Sequence, residues 1–152
     1  MGTVVLVNRQ RRVQLNTAWL RRVAKAALPV CSDLSDDGRF ALRELPEIVV
    51  AIVSDPMISK IHVDFMGIEG PTDVITFDHG EIVISADTAR AYAGQFDRPV
   101  EQELALYTIH GLLHLNGFDD LSSAPATRMR QAQTRILRQV LAQIPFFQTP
   151  RK

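Results

Sequence analysis

The 152-residue sequence has a single cysteine, no long apolar run, and no acidic residue near either end. Cys31 has no partner for an internal disulfide, which fits a reducing compartment. It reads as a small apolar-like residue at a helix end rather than a catalytic thiol. The longest apolar stretch, IVVAIV at 48–53, is far too short to span a bilayer and suits a buried strand, so no membrane partner is expected. In the opening MGTVVLVNRQRR the charges follow a very short apolar run. That order is wrong for a secretory signal, and a cytoplasmic location is the expectation. Repeats and low-complexity segments are also missing, and the length suits one domain over 1–152 with one core.

Charge is balanced in total and uneven in place. All 17 acids fall between Asp33 and Asp120, so residues 1–32 and 121–152 carry +6 each against −12 in the middle. A polyanion such as RNA would meet the two ends, through Arg9, Arg11, Arg12, Arg21 and Arg22 and through Arg128, Arg130 and Arg135. Solvated helix faces with helpful arginines would give the same pattern.

The apolar periodicity predicts an α+β domain, a small mixed sheet of about four strands packed with about five helices. Strands are expected at 3–8 and 47–53, and VITFDHGEIVIS at 74–85 reads as two strands joined at Asp78-His79-Gly80. Asn16 or Thr17 starts a helix that Pro29 should end, and Asp55-Pro56 opens another toward Phe65. Further helices are expected from Ala86-Asp87 to Phe96, from Pro99 to Gly117, and from about Ala124 to Ile144. Pro145 and Pro150 then mark a frayed tail.

The chemistry sits in HGLLHLNGFDD at 110–120. From Leu104 to Leu115 the helix is apolar nearly all round, so it belongs in the core. His110 and His114, four apart, stack on one face, the spacing with which a helix offers two imidazoles to one ion. Gly117 can take the left-handed conformation that turns the chain back, which brings Asp120 round as a third ligand. Two imidazoles and a carboxylate with an open position suit a catalytic Zn2+, about one per chain. Asp119 reads as a capping or supporting residue, although a shift of one position would exchange it with Asp120. A zinc peptidase of the H-E-x-x-H kind would need its base at Gly111, where no carboxyl exists. His62 and His79 read as exposed.

HGLLHLNGFDD resembles the signature of the YbeY family of bacterial rRNA-maturation endoribonucleases, close to H-G-x-L-H-L-x-G-Y-D-H. PTDVITF at 71–77 resembles the family's P-T-D-V-L-S-F, and GEIVIS at 80–85 its G-D-I-V-I, in the same order over about residues 45–140. The resemblance implies a small mixed sheet with a central metal-binding helix. It also implies metal-dependent cleavage of single-stranded RNA, in 16S rRNA 3′-end maturation and ribosome quality control. The implied partners are rRNA and the small ribosomal subunit, not DNA.

Four positions depart from that pattern. Asp120 stands for the third histidine, Met66 for an arginine before the PTDV loop, and Glu81 for an aspartate, and the loop DHG is short. A carboxylate still binds zinc but weakens its Lewis acidity. Losing an arginine near a phosphodiester removes charge stabilisation, which Lys60 or Arg90 would have to replace. Asp73 and Glu81 are the catalytic candidates, Asp73 equally a turn or capping residue and Glu81 facing either the metal or solvent, and no general base is assigned. The rival reading is a ribosome- or RNA-associated binding protein that keeps a structural metal and has lost catalysis; a metallopeptidase is the third.

Overall fold

The computed structural model describes residues 2–146; Pro150 and the basic pair Arg151 and Lys152 lie outside them. The chain runs β1 (Thr3–Asn8), α1 (Thr17–Ser32), a 3₁₀ turn (Ala41–Glu44), β2 (Glu47–Val53), α2 (Asp55–Met66), β3 (Val74–Phe77), β4 (Glu81–Ser85), α3 (Ala86–Gln95), α4 (Val100–Leu115) and α5 (Ser123–Gln143). Among the described residues this is the expected α+β domain of four strands and five helices. No helix among them is long and apolar enough to cross a membrane.

The strands line up in the order β1-β2-β4-β3, with β1, β2 and β4 parallel and β3 antiparallel to β4. Side chains alternate across a strand, so each strand serves two faces. Ile48, Val50 and Ile52 of β2 and Ile82 and Ile84 of β4 enter the main core, with α1, α4 and α5. Ala51, Val53, Ile75 and Val83 face the other way and pack on Ile58 of α2. The β3–β4 turn falls on Asp78-His79-Gly80 as expected, and Gly80, at φ +111°, brings its backbone against Glu47.

Helix α4 is the central helix, packed against α1, α3, α5 and the strands β3 and β4. Its approach to the sheet explains Gly111. A Cβ there would lie 2.6 Å from Cγ2 of the fully buried Ile82, so the helix can sit this low on β4 only without a side chain.

The start of α1 follows expectation, with Asn16 Oδ1 accepting from the Trp19 N–H at 3.0 Å. Its end does not: Pro29 lies inside the helix, which continues to Ser32. Proline removes one N–H, but Pro29 and Lys25, whose carbonyl loses that bond, are on the exposed face where water can replace it. The last turn is held by burial of Leu28, Cys31 and Ser32.

Cys31 is fully buried, and burial pushes its thiol up to about 12 from 9.0. The folded thiol stays protonated where the unfolded one ionises. Its contribution is therefore complete below about pH 9 and lost as pH rises toward about 12. Denaturant melts across that range should show falling stability, and Cys31→Ala should flatten that slope. An equal slope in the variant would show that other groups cause it.

Candidate metal centre

The end of α4 is built to reverse the chain. Gly117 has φ +98°, its N–H donates to the His114 carbonyl at 3.2 Å, and the Phe118 N–H reaches back to Leu113 O at 3.0 Å. That pair of bonds is the glycine-ended helix closure. Beneath it, Asn116 is completely buried. Its Oδ1 accepts from Leu42 N–H at 3.0 Å, and its Nδ2 donates to the carbonyls of Cys31, at 2.9 Å, and Leu34. One amide thus ties the end of α4 to the end of α1 and to the 3₁₀ turn. Asp119 then closes the turn by accepting from the Leu121 N–H at 3.2 Å.

The reversal delivers Asp120, not Asp119, to the histidine face. Asp120 Oδ2 lies 3.7 Å from Nε2 of His110. The other ring nitrogen, Nδ1, is 2.8 Å from Oε1 of Gln133 on α5. With that oxygen accepting, Nδ1 carries the hydrogen, and Nε2 is left with its lone pair on the side of the carboxylate. Two ligand atoms of one tetrahedral zinc stand about 3.4 Å apart, so the spacing and donor types of this pair fit such an ion. His114, half buried, follows one turn further along α4. The three side chains do not converge as a set: among the described residues no three His, Cys, Asp or Glu groups are gathered closely enough to hold an ion.

Beside His110 lies a cavity of about 220 Å³ between α3, α4, α5 and the start of β3, lined by Asp73, Tyr92, Glu103, Tyr107 and Gln133 as well as His110. The Tyr107 hydroxyl is buried without a hydrogen-bond partner among the described residues. Burial first, then the charges of Glu103 and Asp73, raise its pKa far above the usual tyrosine range, so it keeps its proton. Asp73 Oδ1 also accepts from the Val74 N–H at 2.8 Å, which anchors the start of β3.

The other candidates are placed elsewhere. Glu81 shares the strand face of Val83, turned away from α4, so it does not join His110. His62 is exposed and meets the Gly70 carbonyl at 3.0 Å, while His79 is exposed and stacks on Phe77. Met66 is exposed at the end of α2. Arg90 does not replace the missing arginine, because it lies against Asp87 and lines a different pocket with Arg12. Lys60 is exposed on α2 and absent from the lining beside His110.

The basic ends divide in the same way. Arg12 is paired with Asp87 at 3.3 Å and Arg128 with Asp36 at 2.7 Å, so local acids offset both charges. Arg9, Arg11, Arg21 and Arg22 are exposed on the segment after β1 and on α1. Arg130, Arg135 and Arg138 line one groove on the outer face of α5.

Gln133, Asn116, Glu103 and Tyr107 are missed by sequence reasoning. For Gln133 a signal was present: it is an amide beside Ala132 on the stripe by which α5 buries Met129, Ile136 and Val140.

Residues 5–141 match the family described as Endoribonuclease YbeY. Proteins named Endoribonuclease YbeY are similar to this chain in several organisms. That of Chloroherpeton thalassium is 38% identical over 101 residues, covering 62% of this chain and 72% of its own. That of Desulfitobacterium hafniense is 31% identical over 115 residues, covering 64% and 73%. That of Chlorobium phaeovibrioides is 34% identical over 135 residues, covering 83% and 88%. The solution structure of a Thermotoga maritima protein has the same fold, with a TM-score of 0.64 at 22% identity over 92% of this chain and 90% of that one.

Proposed function

The chain belongs to the YbeY family of endoribonucleases, and on that premise we propose that it cuts single-stranded RNA with one zinc ion, in the maturation of the 16S rRNA 3′ end. The observation that carries the reading is the pair His110 Nε2 and Asp120 Oδ2, 3.7 Å apart, with the far side of the ring held by Gln133. His110 and Asp120 would hold the ion, and His114, on the next turn of α4, would have to swing its ring toward them to become a third ligand. When bound, zinc supplies Lewis acidity, a lowered pKa for water and charge to set against the phosphodiester.

The chain's own residues do the positioning. Gln133 fixes the tautomer and angle of the His110 ring. Asn116, Gly117 and Asp119 hold the turn that presents Asp120. The free arginines of α1 and α5 would bind the RNA backbone, at the chain ends and away from the acidic middle.

One observation favours the second reading, a binding protein with a structural metal. Among the described residues no Lys or Arg lines the cavity beside His110, and the nearby Arg98 is paired with Glu103 at 3.7 Å, so the charge stabilisation that an arginine would give at Met66 has no unpaired substitute there. A fluorescent single-stranded RNA, offered beside the same sequence as a duplex, separates the two. The nuclease reading expects cleavage of the single strand, abolished by chelator and restored by zinc. Protein that retains about one zinc per chain but leaves both RNAs intact supports the binding reading instead.

A further inference from the structure

The 220 Å³ cavity beside His110 is smaller than the roughly 300–1,000 Å³ typical of sites for drug-sized ligands. It has room for one flat ring system, not a whole nucleotide. Its walls are unusually demanding. Tyr107 is 4% exposed, and its hydroxyl lies beside the Glu103 carboxylate without a well-formed hydrogen bond among the described residues. An unmade hydrogen bond at such depth is costly, and a ligand atom would satisfy it. Glu103 is 8% exposed, and Arg98 reaches only its Oε1, at 3.7 Å. Asp73 adds a second carboxylate, and Tyr92 an aromatic surface, half exposed.

Carboxylates accept and cannot donate, so the cavity wants a ring edge with more than one N–H and at least one acceptor for the hydroxyl. Guanine has that edge: N1–H and the N2 amino group lie side by side for a carboxylate, and O6 accepts. Uracil presents two carbonyl oxygens around a single N–H and would set them against Glu103 and Asp73. Adenine and cytosine, with one amino group and one ring acceptor, fall between. RNA-binding proteins read unstacked bases in this manner, by a ring surface and an edge.

We propose that this cavity receives the base of the nucleotide next to the cleaved phosphate and selects guanine over uracil, with Glu103 reading the N–H edge and Tyr107 the carbonyl oxygen. His110 is common to the cavity and to the candidate ligand pair, which places the selected base beside the reacting phosphate. The proposal rests on the reading that RNA is the substrate.

Binding, not cleavage, is its test. Metal-free full-length protein is titrated with a short oligouridylate and with the same oligomer carrying one central guanine, by calorimetry or by NMR shifts. The guanine oligomer should bind about ten- to a hundredfold more tightly, the range of one good bidentate contact. Glu103→Gln should erase most of that preference, weakening the guanine oligomer and strengthening the oligouridylate, whose carbonyl oxygens then meet an amide instead of a carboxylate. Tyr107→Phe, which removes only the unpartnered hydroxyl, should reduce the preference severalfold and serves if the glutamine variant fails to fold. Equal binding of the two oligomers, no binding of either, or a preference untouched in a folded variant would overturn the proposal. Because neither metal nor turnover is read, a negative result here leaves the cleavage assay standing, and a failed cleavage assay leaves this preference to be measured.

Discussion

His110→Ala is expected to lose the bound ion and to drop RNA cleavage about 10²-fold or more, to the level of chelated protein. The ring is the one group that meets all three parts of the site. It offers Nε2 to Asp120, takes its orientation from Gln133 through Nδ1, and borders the cavity with Glu103 and Tyr107. Glu81, on the opposite sheet face, and His62 and His79, committed elsewhere, are not placed to substitute for it. Gln133→Ala should give the graded counterpart. The ring stays but loses its support, so zinc affinity should fall about 10- to 100-fold. Metal content after dialysis, with melting curves as a control on folding, reads both. A His110→Ala protein that keeps its zinc would place the ion elsewhere.

Asn116→Ala should be the most destabilising polar substitution in the molecule, costing about 3 kcal/mol or more. The side chain is fully buried and satisfies an N–H of the 3₁₀ turn and carbonyls at the end of α1. Truncation leaves the Leu42 N–H buried without its partner and takes one donor each from the Cys31 and Leu34 carbonyls, with a desolvation cost that is greatest at Leu42. The cost is a large part of the roughly 5–15 kcal/mol that holds a domain folded. The same change should reach the site, because Asn116 begins the turn that carries Asp120, and zinc should be retained less well even by the folded fraction. Urea melts of Asn116→Ala beside Gln139→Ala, an exposed position on α5, give the comparison; equal midpoints would refute the assignment.

Helix α4 was legible because its chemistry is local. An all-round apolar helix with histidines at four-residue spacing announces both burial and a shared face, and Gly117 announces the reversal that the structure makes at φ +98°. The four strands were legible for the same reason, as short runs of β-branched residues. At Pro29 the local penalty of proline points to a helix end, but the tertiary packing of Leu28 and Cys31 carries the helix past it. The sheet order was beyond reach of periodicity, since β4 inserts between β2 and β3 through long-range pairing. Gln133, Glu103 and Tyr107 each read as ordinary helix residues in the sequence. Only the packing of α3, α4 and α5 brings them round His110. The choice between Asp119 and Asp120 also needed the turn itself, in which Asp119 spends its carboxylate on the Leu121 N–H.

RNA cleavage by this chain should depend on one ion held by the HGLLHLNGFDD segment. The most direct measurement is a titration of metal-free protein with zinc, following bound metal and single-strand cleavage in the same samples. The two should rise together and level off at about one zinc per chain. Full cleavage by the metal-free protein, or zinc bound to saturation with cleavage unchanged throughout, would contradict it.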